Sequence, residues 1–357
     1  MKRRHFSQGL GILAAAQAPF LSSTFGQNGF RRIKIGQIGT KHAHAAGKLS
    51  AIQQYPDLFE LVGVVEPDEA QWASVSSREP YLQVSRLSEE ELFATDGLEA
   101  VAVETAVAEL VPTALRCLAR EIHLHVDKPA GSSLSEATEM FTLANEKGLL
   151  IQMGYMLRYL PAFEKLRALV TAGALGEVTE INAMMGKLSK AGTREELSLY
   201  PGGGMFELAC HLIDQVVTFL GPPEKVTAFT RQTRSDGVAD NQLAVLEYEK
   251  ALASVRCNHV DPFGGPRREF SVTGTKGTAS LRPLESGSLE LKLSEPFEDL
   301  GKGSHSFELP YVGGRYGGEF RDFAAVVRED KPFAWGADHD VAVHRAVLEA
   351  SGMPTDG

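Results

Sequence analysis

The stretch RIKIGQIGTKHAHAAGKLSAIQQY, residues 32–55, joins an apolar run to a helix-like segment through a turn that opens at Gly39. A strand, a glycine turn and a helix form the first unit of a doubly wound, dinucleotide-binding sheet. The usual turn spaces its glycines G-x-G-x-x-G, whereas here Lys41 and His44 hold the second and third glycine places. The turn therefore reads as a phosphate cradle with altered glycines, as an ordinary turn, or as a metal cluster of His42 and His44 with His123 or His125. An acid belongs about 20 residues further on, where it accepts hydrogen bonds from the adenosine ribose. Glu66 stands there, and no lysine or arginine follows it in EPDEA, residues 66–70. That pattern favours NAD over NADP, whose 2′-phosphate a carboxylate repels.

Outward from the turn, strand-like and helix-like segments alternate to about residue 150. FELVGVVEP (59–67), LEAVAVET (98–105), IHLHVDKP (122–129) and LLIQMGYM (149–156) read as strands. The segments between them read as helices, with Ser88 and Glu91 spaced as a capping box. Such alternation predicts a parallel sheet covered on both faces. Beyond residue 160 the pattern changes to strand-like runs joined by short turns, from EVTEINAMMGKL (177–188) to SLELKLS (288–294). Those runs predict a large, mostly antiparallel sheet. Within them FELACHLIDQVVTFLG (206–221) reads as one helix, two more helices close the chain, and 262–267 and 299–305 read as loops. The expected fold class is an α/β doubly wound domain over 31–150 and an α+β domain with an open sheet over 151–357.

The 357 residues carry a formal net charge of -10, which argues against a protein that grips nucleic acid through its phosphates. Residues 1–27 contain Lys2, Arg3 and Arg4 and no acid, then a short apolar stretch with small residues at Ala16 and Ala18. This is the pattern of an export signal, and the Arg3-Arg4 pair points to the twin-arginine type. The expectation is a periplasmic or otherwise exported protein with no membrane contact once the signal is removed. Cys117, Cys210 and Cys257 are odd in number and far apart, which predicts buried free thiols rather than a disulfide framework.

Two further stretches carry chemistry. HLHVDKPAG (123–131) places Lys128 at the carboxyl end of a strand, over the crevice where open α/β sheets bind ligands. PGGGMFELACHLIDQVV (201–217) spaces Glu207, His211 and Asp214 i, i+4, i+7, on one face of a continuous helix. An acid and an imidazole so spaced can chelate a metal, but no third ligand is evident, and the expectation assigns no metal.

Together these stretches resemble the family of glucose-fructose oxidoreductase, inositol dehydrogenase and rhizopine-catabolism proteins. Asp127-Lys128-Pro129 corresponds to the family's E-K-P, and Thr105 opens its T-P-N position. Gly202, Gly203, Met205, Glu207, Ala209, His211 and Asp214 match the second-domain signature G-G-x-L-x-D-x-G-x-H-x-x-D, with Glu207 in the place of its Asp. Arg158 and Pro161 match the R-x-x-P that enters the second domain.

The resemblance implies a Rossmann domain that binds NAD, with NADP the lesser alternative, through Gly39, Thr40, Lys41, His42, Glu66, Thr105 and Lys128. It implies His211 as general base, Lys128 as the group that stabilises the developing alkoxide, and Glu207 as the residue that orients Lys128 or the substrate. Lys41 would supply charge to the pyrophosphate, and His44 would cap the helix. Tyr155, Arg158, Tyr200, Asp214 and His259 are the candidate substrate residues. The implied activity is hydride transfer at a hydroxyl carbon of a sugar, polyol or glycoside with a tightly held cofactor, in a homo-oligomer, dimer or tetramer. Alternatives are a glycosidase working by oxidation, elimination and reduction, and an inactive binding protein of the same fold.

Overall fold

The computed structural model describes residues 31–355, so the expected export signal lies outside the described residues. The first layer runs β1 (Ile33–Ile38), α1 (Ala45–Gln54), β2 (Phe59–Val65), α2 (Glu69–Val75), β3 (Arg86–Leu87) and α3 (Glu89–Phe93). It continues with β4 (Ala100–Val103), α4 (Val107–Leu118), β5 (His123–Val126), α5 (Leu134–Glu146) and β6 (Ile151–Met153). Its six strands lie in the order β3-β2-β1-β4-β5-β6 and every pairing is parallel. That order is the dinucleotide-binding one, with the reversal of strand order between β1 and β4. All four residues of β4, AVAV, are buried, as a strand covered on both faces requires. The capping box closes on α3, where Ser88 and Glu91 satisfy each other's backbone N–H groups.

A short 3-10 turn, Met156–Tyr159, leads into the second layer. It holds α6 (Pro161–Thr171), β7 (Val178–Gly186), α7 (Ala191–Ser198), α8 (Gly203–Glu207), α9 (Cys210–Leu220), β8 (Lys225–Arg231), β9 (Asn241–Glu247) and β10 (Leu252–Asn258). After these come β11 (Glu269–Gly274), β12 (Gly277–Leu281), β13 (Ser288–Leu293), β14 (Gly303–Glu308), α10 (Gly317–Val327) and α11 (Ala337–Ala350). The eight strands lie in the order β14-β13-β12-β11-β7-β10-β9-β8. Only the β7–β10 pair is parallel; the others are antiparallel. Alternate residues of β9 and β13 are buried, the signature of a sheet with one packed and one open face.

Four expectations from the sequence need correction. The first sheet extends past residue 150, because β6 is its sixth strand. The last helices do not belong wholly to the second domain either. Phe320, Phe323, Ala324 and Val327 of α10 complete a core with Ile33, Ile35, Phe59, Ala100 and Ala102 of the first sheet. Residues 303–305, read as loop, form the start of β14, paired to β13 through Leu293–Gly303. Last, the helix expected over 206–221 is two helices, α8 and α9, interrupted at Leu208 and Ala209. The Glu207 carbonyl, which a continuous helix would offer to the N–H of His211, instead accepts a 2.7 Å hydrogen bond from Lys128 Nζ. Short elements such as β3 and α7 carry too little periodicity to be read from sequence, and neither was expected.

A buried charge cluster ties the linking 3-10 turn to the second layer. Arg158 is fully buried, and its guanidinium donates to Asp214 Oδ1 at 2.9 and 2.6 Å and to Asp340 Oδ1 at 2.5 Å. Asp214 lies on α9 and Asp340 on α11, while Tyr155 and Trp335 stack on the cation at 4.9 Å. Arg158→Met would strand two buried carboxylates and is expected to lower stability by about 3–5 kcal/mol. Urea unfolding measures this, and an Asp214→Asn, Asp340→Asn background should remove most of the penalty; an equal penalty in that background would refute the account.

Candidate active site

The carboxyl ends of β1, β2, β4 and β5 converge on one crevice, and the glycine turn forms its floor. Gly39 has φ +91, and a Cβ there would meet Thr105 N at 2.6 Å. The turn therefore needs glycine both for its conformation and for its approach to the β4–α4 loop. Beside it opens a cavity of about 580 Å³ lined by Gly39, Lys41, Glu66, Thr105, Arg86 and Arg116, among others. The volume suits a nucleotide moiety. Glu66 is buried at its edge, accepting from Thr40 N at 3.0 Å, Thr40 Oγ1 at 2.8 Å and Asp68 N at 3.1 Å. A glycine where no side chain fits, a buried acid one strand away and a cleft of this size are what a dinucleotide requires, and the residues fit that group.

The cations around this cavity were only partly foreseen. Lys41 pairs with Asp68 at 2.9 Å, a contact that raises the lysine's pKa. Arg86 arrives from β3, a strand the sequence did not reveal, and donates to the Glu66 carbonyl at 3.0 and 2.7 Å and to Glu69 at 2.8 Å. Arg116 reaches across from α4 to Glu89 at 2.8 Å.

At the far end of the crevice Lys128 is buried and joins the two layers. Burial opposes its charge, but the Cys210 sulfur and the Glu207 and Asp127 carboxylates outweigh that and raise its pKa. Besides the bond to the Glu207 carbonyl, its Nζ lies 3.7 Å from Glu207 Oε1, and Lys187 lies 3.5 Å from Oε2. Burial would raise the Glu207 carboxyl, yet the two lysines hold it down at about 2. Glu207 is thus an ionised carboxylate between two ammonium groups, and Lys187 is a site residue that sequence reading missed.

His211 opens α9, on the Lys128 side of the helix break. Its ring centroid lies 6.3 Å from that of His44 and 6.0 Å from that of Tyr155, and its Nδ1 is buried without a partner. Burial, reinforced by the charge on Lys128, pushes its pKa well below the ordinary histidine value. It is therefore a neutral imidazole at neutral pH.

The remaining candidates divide. Tyr155 is buried beside His211, and Tyr200 is half-buried against Phe206. Arg158 and Asp214 are brought together, but with each other and Asp340; both are fully buried structural ions. Glu207, His211 and Asp214 consequently do not share one helical face, because the break turns Glu207 towards the lysines while Asp214 faces Arg158. His259 is fully buried, bonded through Nδ1 to Ser189 Oγ at 2.8 Å, and burial lowers its pKa to about 4.

His42 and His44 turn inward. His44 occupies the N-cap position of α1 but makes no capping bond. Its Nδ1 lies 3.2 Å from both oxygens of Asp127, and burial takes its pKa to about 4. His42 bridges the Lys128 carbonyl, 3.1 Å from Nε2, and Asp127 Oδ2, 3.2 Å from Nδ1. Beneath them lies a polar cluster that sequence reading missed. Lys48 pairs with Glu319 at 2.5 Å, His125 with Glu319 at 3.0 Å, and Glu104 sits beside His125 at 3.6 Å, all fully buried. Burial and the neighbouring Asp127 raise the Glu104 carboxyl well above the usual range, whereas His42 and His44 outweigh burial and hold Asp127 well below it. The only signal was charge inside strand ends, VET and HLHVD, where a parallel sheet should be apolar.

Comparison with known proteins agrees with this geometry. Residues 33–155 match the family model described as "Oxidoreductase family, NAD-binding Rossmann fold", and residues 163–280 match that of the GFO/IDH/MocA C-terminal domain. D-xylose 1-dehydrogenase (NADP(+)) 2 of Haloferax volcanii is 27% identical over 253 residues, 70% of this chain and 75% of that protein. Trans-1,2-dihydrobenzene-1,2-diol dehydrogenase of Bos taurus is 29% identical over 233 residues, 64% of this chain and 66% of that protein. Among solved structures, GenD2 from gentamicin A biosynthesis in complex with NAD superposes with a TM-score of 0.74 at 22% identity, covering 91% of this chain and 95% of that one. UDP-N-acetylglucosamine 3-dehydrogenase GnnA from Acidithiobacillus ferrooxidans gives 0.75 at 20% identity, covering 90% and 97%. The chain belongs to the GFO/IDH/MocA family of NAD(P)-binding oxidoreductases.

Proposed function

We propose that the protein is a dehydrogenase that moves hydride between a tightly held NAD and a hydroxyl-bearing carbon of a sugar, polyol or glycoside. The observation that carries this reading is a neutral, buried His211 set beside the buried ammonium of Lys128. When bound, the dinucleotide supplies the nicotinamide carbon that accepts or returns hydride. His211 takes the hydroxyl proton, for which an imidazole free of protons is the required form. Lys128 donates to the oxygen on which negative charge develops, in a site where water is excluded. Glu207 and Lys187 orient Lys128 rather than react. Two relatives bear the names of a sugar dehydrogenase and a cyclic diol dehydrogenase, which supports a carbinol substrate.

NAD rather than NADP is the proposed cofactor because every cation lining the nucleotide cavity is already matched: Lys41 to Asp68, Arg86 to Glu69 and Arg116 to Glu89. A 2′-phosphate would have to compete with those carboxylates and with Glu66. The relative named for NADP(+) makes this point the most open to test. Protein purified without added nucleotide, denatured and filtered, is expected to release near-stoichiometric NAD(H) by mass spectrometry. Recovery of NADP(H) would reverse the preference, and no binding of either on titration would remove the dehydrogenase reading.

His211→Ala is expected to lower turnover by about two to four orders of magnitude, the usual contribution of a general base, while bound dinucleotide is retained. Unchanged turnover would refute the assignment. Because His211 is held below its ordinary value, the acid limb of the oxidation rate should fall below the ordinary histidine pKa of about 6.5.

Export is part of the same proposal and rests on the basic start, apolar stretch and small residues of 1–27, with the Arg3-Arg4 pair pointing to the twin-arginine route. A protein that carries its cofactor must fold before it crosses a membrane. Arg3→Lys with Arg4→Lys should leave the protein in the cytoplasm on cell fractionation, and unaltered location would count against export by this route.

A further inference from the structure

A base that takes a proton must hand it on before it can act again, and His211 is only 1% exposed. The groups around it leave few places for that proton. Lys128 and Arg315 face it as cations that already hold theirs. Tyr155 is a buried phenol, and burial keeps its pKa well above the ordinary value. The adjacent Cys210 thiol is pushed up to about 12 by burial. Glu207 is ionised, but the two lysines hold it at about 2, too weak a base to draw a proton from an imidazolium. Among the described residues this leaves His44, whose ring centroid lies 6.3 Å from that of His211.

The surroundings of His44 prepare it to accept. Its Nδ1 lies 3.2 Å from both oxygens of Asp127, a carboxylate that stays ionised. An ionised carboxylate can only accept, so Nδ1 carries the ring hydrogen and the lone pair sits on Nε2. The ring's printed bonds all run through Nδ1, and the side chain is 16% exposed, nearer to solvent than His211. Tyr316 packs against the ring at 5.8 Å between centroids, while His42 and Lys128 face it from the turn and the strand end. Burial lowers both His44 and His211 below the ordinary histidine value, so neither imidazole traps a proton that passes between them. A ring nitrogen sits about 1.1 Å from its centroid, which sets the nitrogens of the two rings at least about 4 Å apart. That is too far for a direct hydrogen bond, and one bridging water closes such a gap.

We propose that His44, held by Asp127, is the relay that carries the substrate's hydroxyl proton from His211 to solvent. The proposal rests on the dehydrogenase reading given above. In oxidation the substrate O–H bond breaks towards His211, and the hydride of its C–H bond goes to NAD+. The imidazolium of His211 then gives its proton to the bridging water as that water gives one of its own to His44 Nε2. Asp127 steadies the positive charge on His44, as an acid behind an imidazole does in other proton-transfer sites. His44 releases the proton from Nε2 to bulk water, and both rings return to their neutral forms. Reduction runs the same path in reverse.

The test begins without substrate or nucleotide. Nuclear magnetic resonance of the full chain with isotope-labelled histidine, the His44 signal assigned by its loss in His44→Ala, is expected to place the ring hydrogen on Nδ1. A hydrogen on Nε2 would leave no acceptor and would overturn the relay, whatever the protein oxidises. Turnover with NAD+ is then measured on a panel of aldoses and cyclitols in weak buffer and with added imidazole. His44→Ala is expected to be slower by about tenfold or more in weak buffer and to recover with imidazole, while the native protein is indifferent to it. His44→Asn, whose amide keeps a donor for Asp127, should behave alike and guards against an alanine variant that misfolds. An unchanged rate in both variants, or a loss that imidazole does not restore, would overturn the relay and leave the dehydrogenase reading standing. If the native protein oxidised no member of the panel, the dehydrogenase reading would fall and the relay with it.

Discussion

One hydrogen bond organises the site: Lys128 Nζ to the carbonyl of Glu207. It ties the end of a strand in the parallel sheet to the second layer. It falls at the point where α8 ends and α9 has yet to begin. The break at that point is what separates the tasks of three ionisable residues only seven positions apart. Glu207 turns to the two lysines, His211 stands at the head of a new helix with no counter-ion, and Asp214 faces a buried arginine. A straight helix would have stacked all three on one face, and each would have shifted the charge of the others. The lysine thus bridges the break as well as carrying charge.

The charges around the crevice are distributed unevenly, and the unevenness follows from what surrounds each one. At the nucleotide end every cation has an acid beside it in partial solvent. Such pairs contribute little to stability but fix the local potential. Deeper in, Lys48, His125, Glu319, Glu104 and Asp127 are all fully buried, where an unbalanced charge costs several kcal/mol. The chain places them at the junction of β4, β5, α1 and α10, a part of the first layer whose core is polar. Dry surroundings make every proton or ion in this region count for more than it would at a surface.

Much of the fold could be read in the sequence because its signals are local and repeated. The apolar strand runs, the glycine turn and the capping box at Ser88 and Glu91 each depend on neighbours a few residues away. The parallel pairing of the first sheet followed from the alternation alone. The placement of Gly39, Glu66 and Lys128 at strand ends was legible for the same reason. What escaped depends on residues distant in sequence. The break after Glu207 is bridged by Lys128, 79 positions earlier. Arg158 and Asp214 resemble pocket residues until Asp340, 182 positions beyond Arg158, is seen to complete their cluster. The role of His44 depends on Asp127, 83 positions on, rather than on the helix it begins.

The core of the first sheet has one more property. One of its faces is closed by Phe320, Phe323 and Val327, contributed by α10 after the whole second sheet has been made. During synthesis the nucleotide-binding half therefore emerges with an apolar face that Ala51 and Ile52 of α1 cover only in part, and it waits through more than 150 residues for the rest of its lid. It cannot mature as the leading, independent unit that its place in the chain would suggest. Its folding is coupled to the completion of the second half, so release from the ribosome and acquisition of the binding cleft become nearly one event. For a protein of this design, a chain cut short before α10 would lose the first domain along with the last helices.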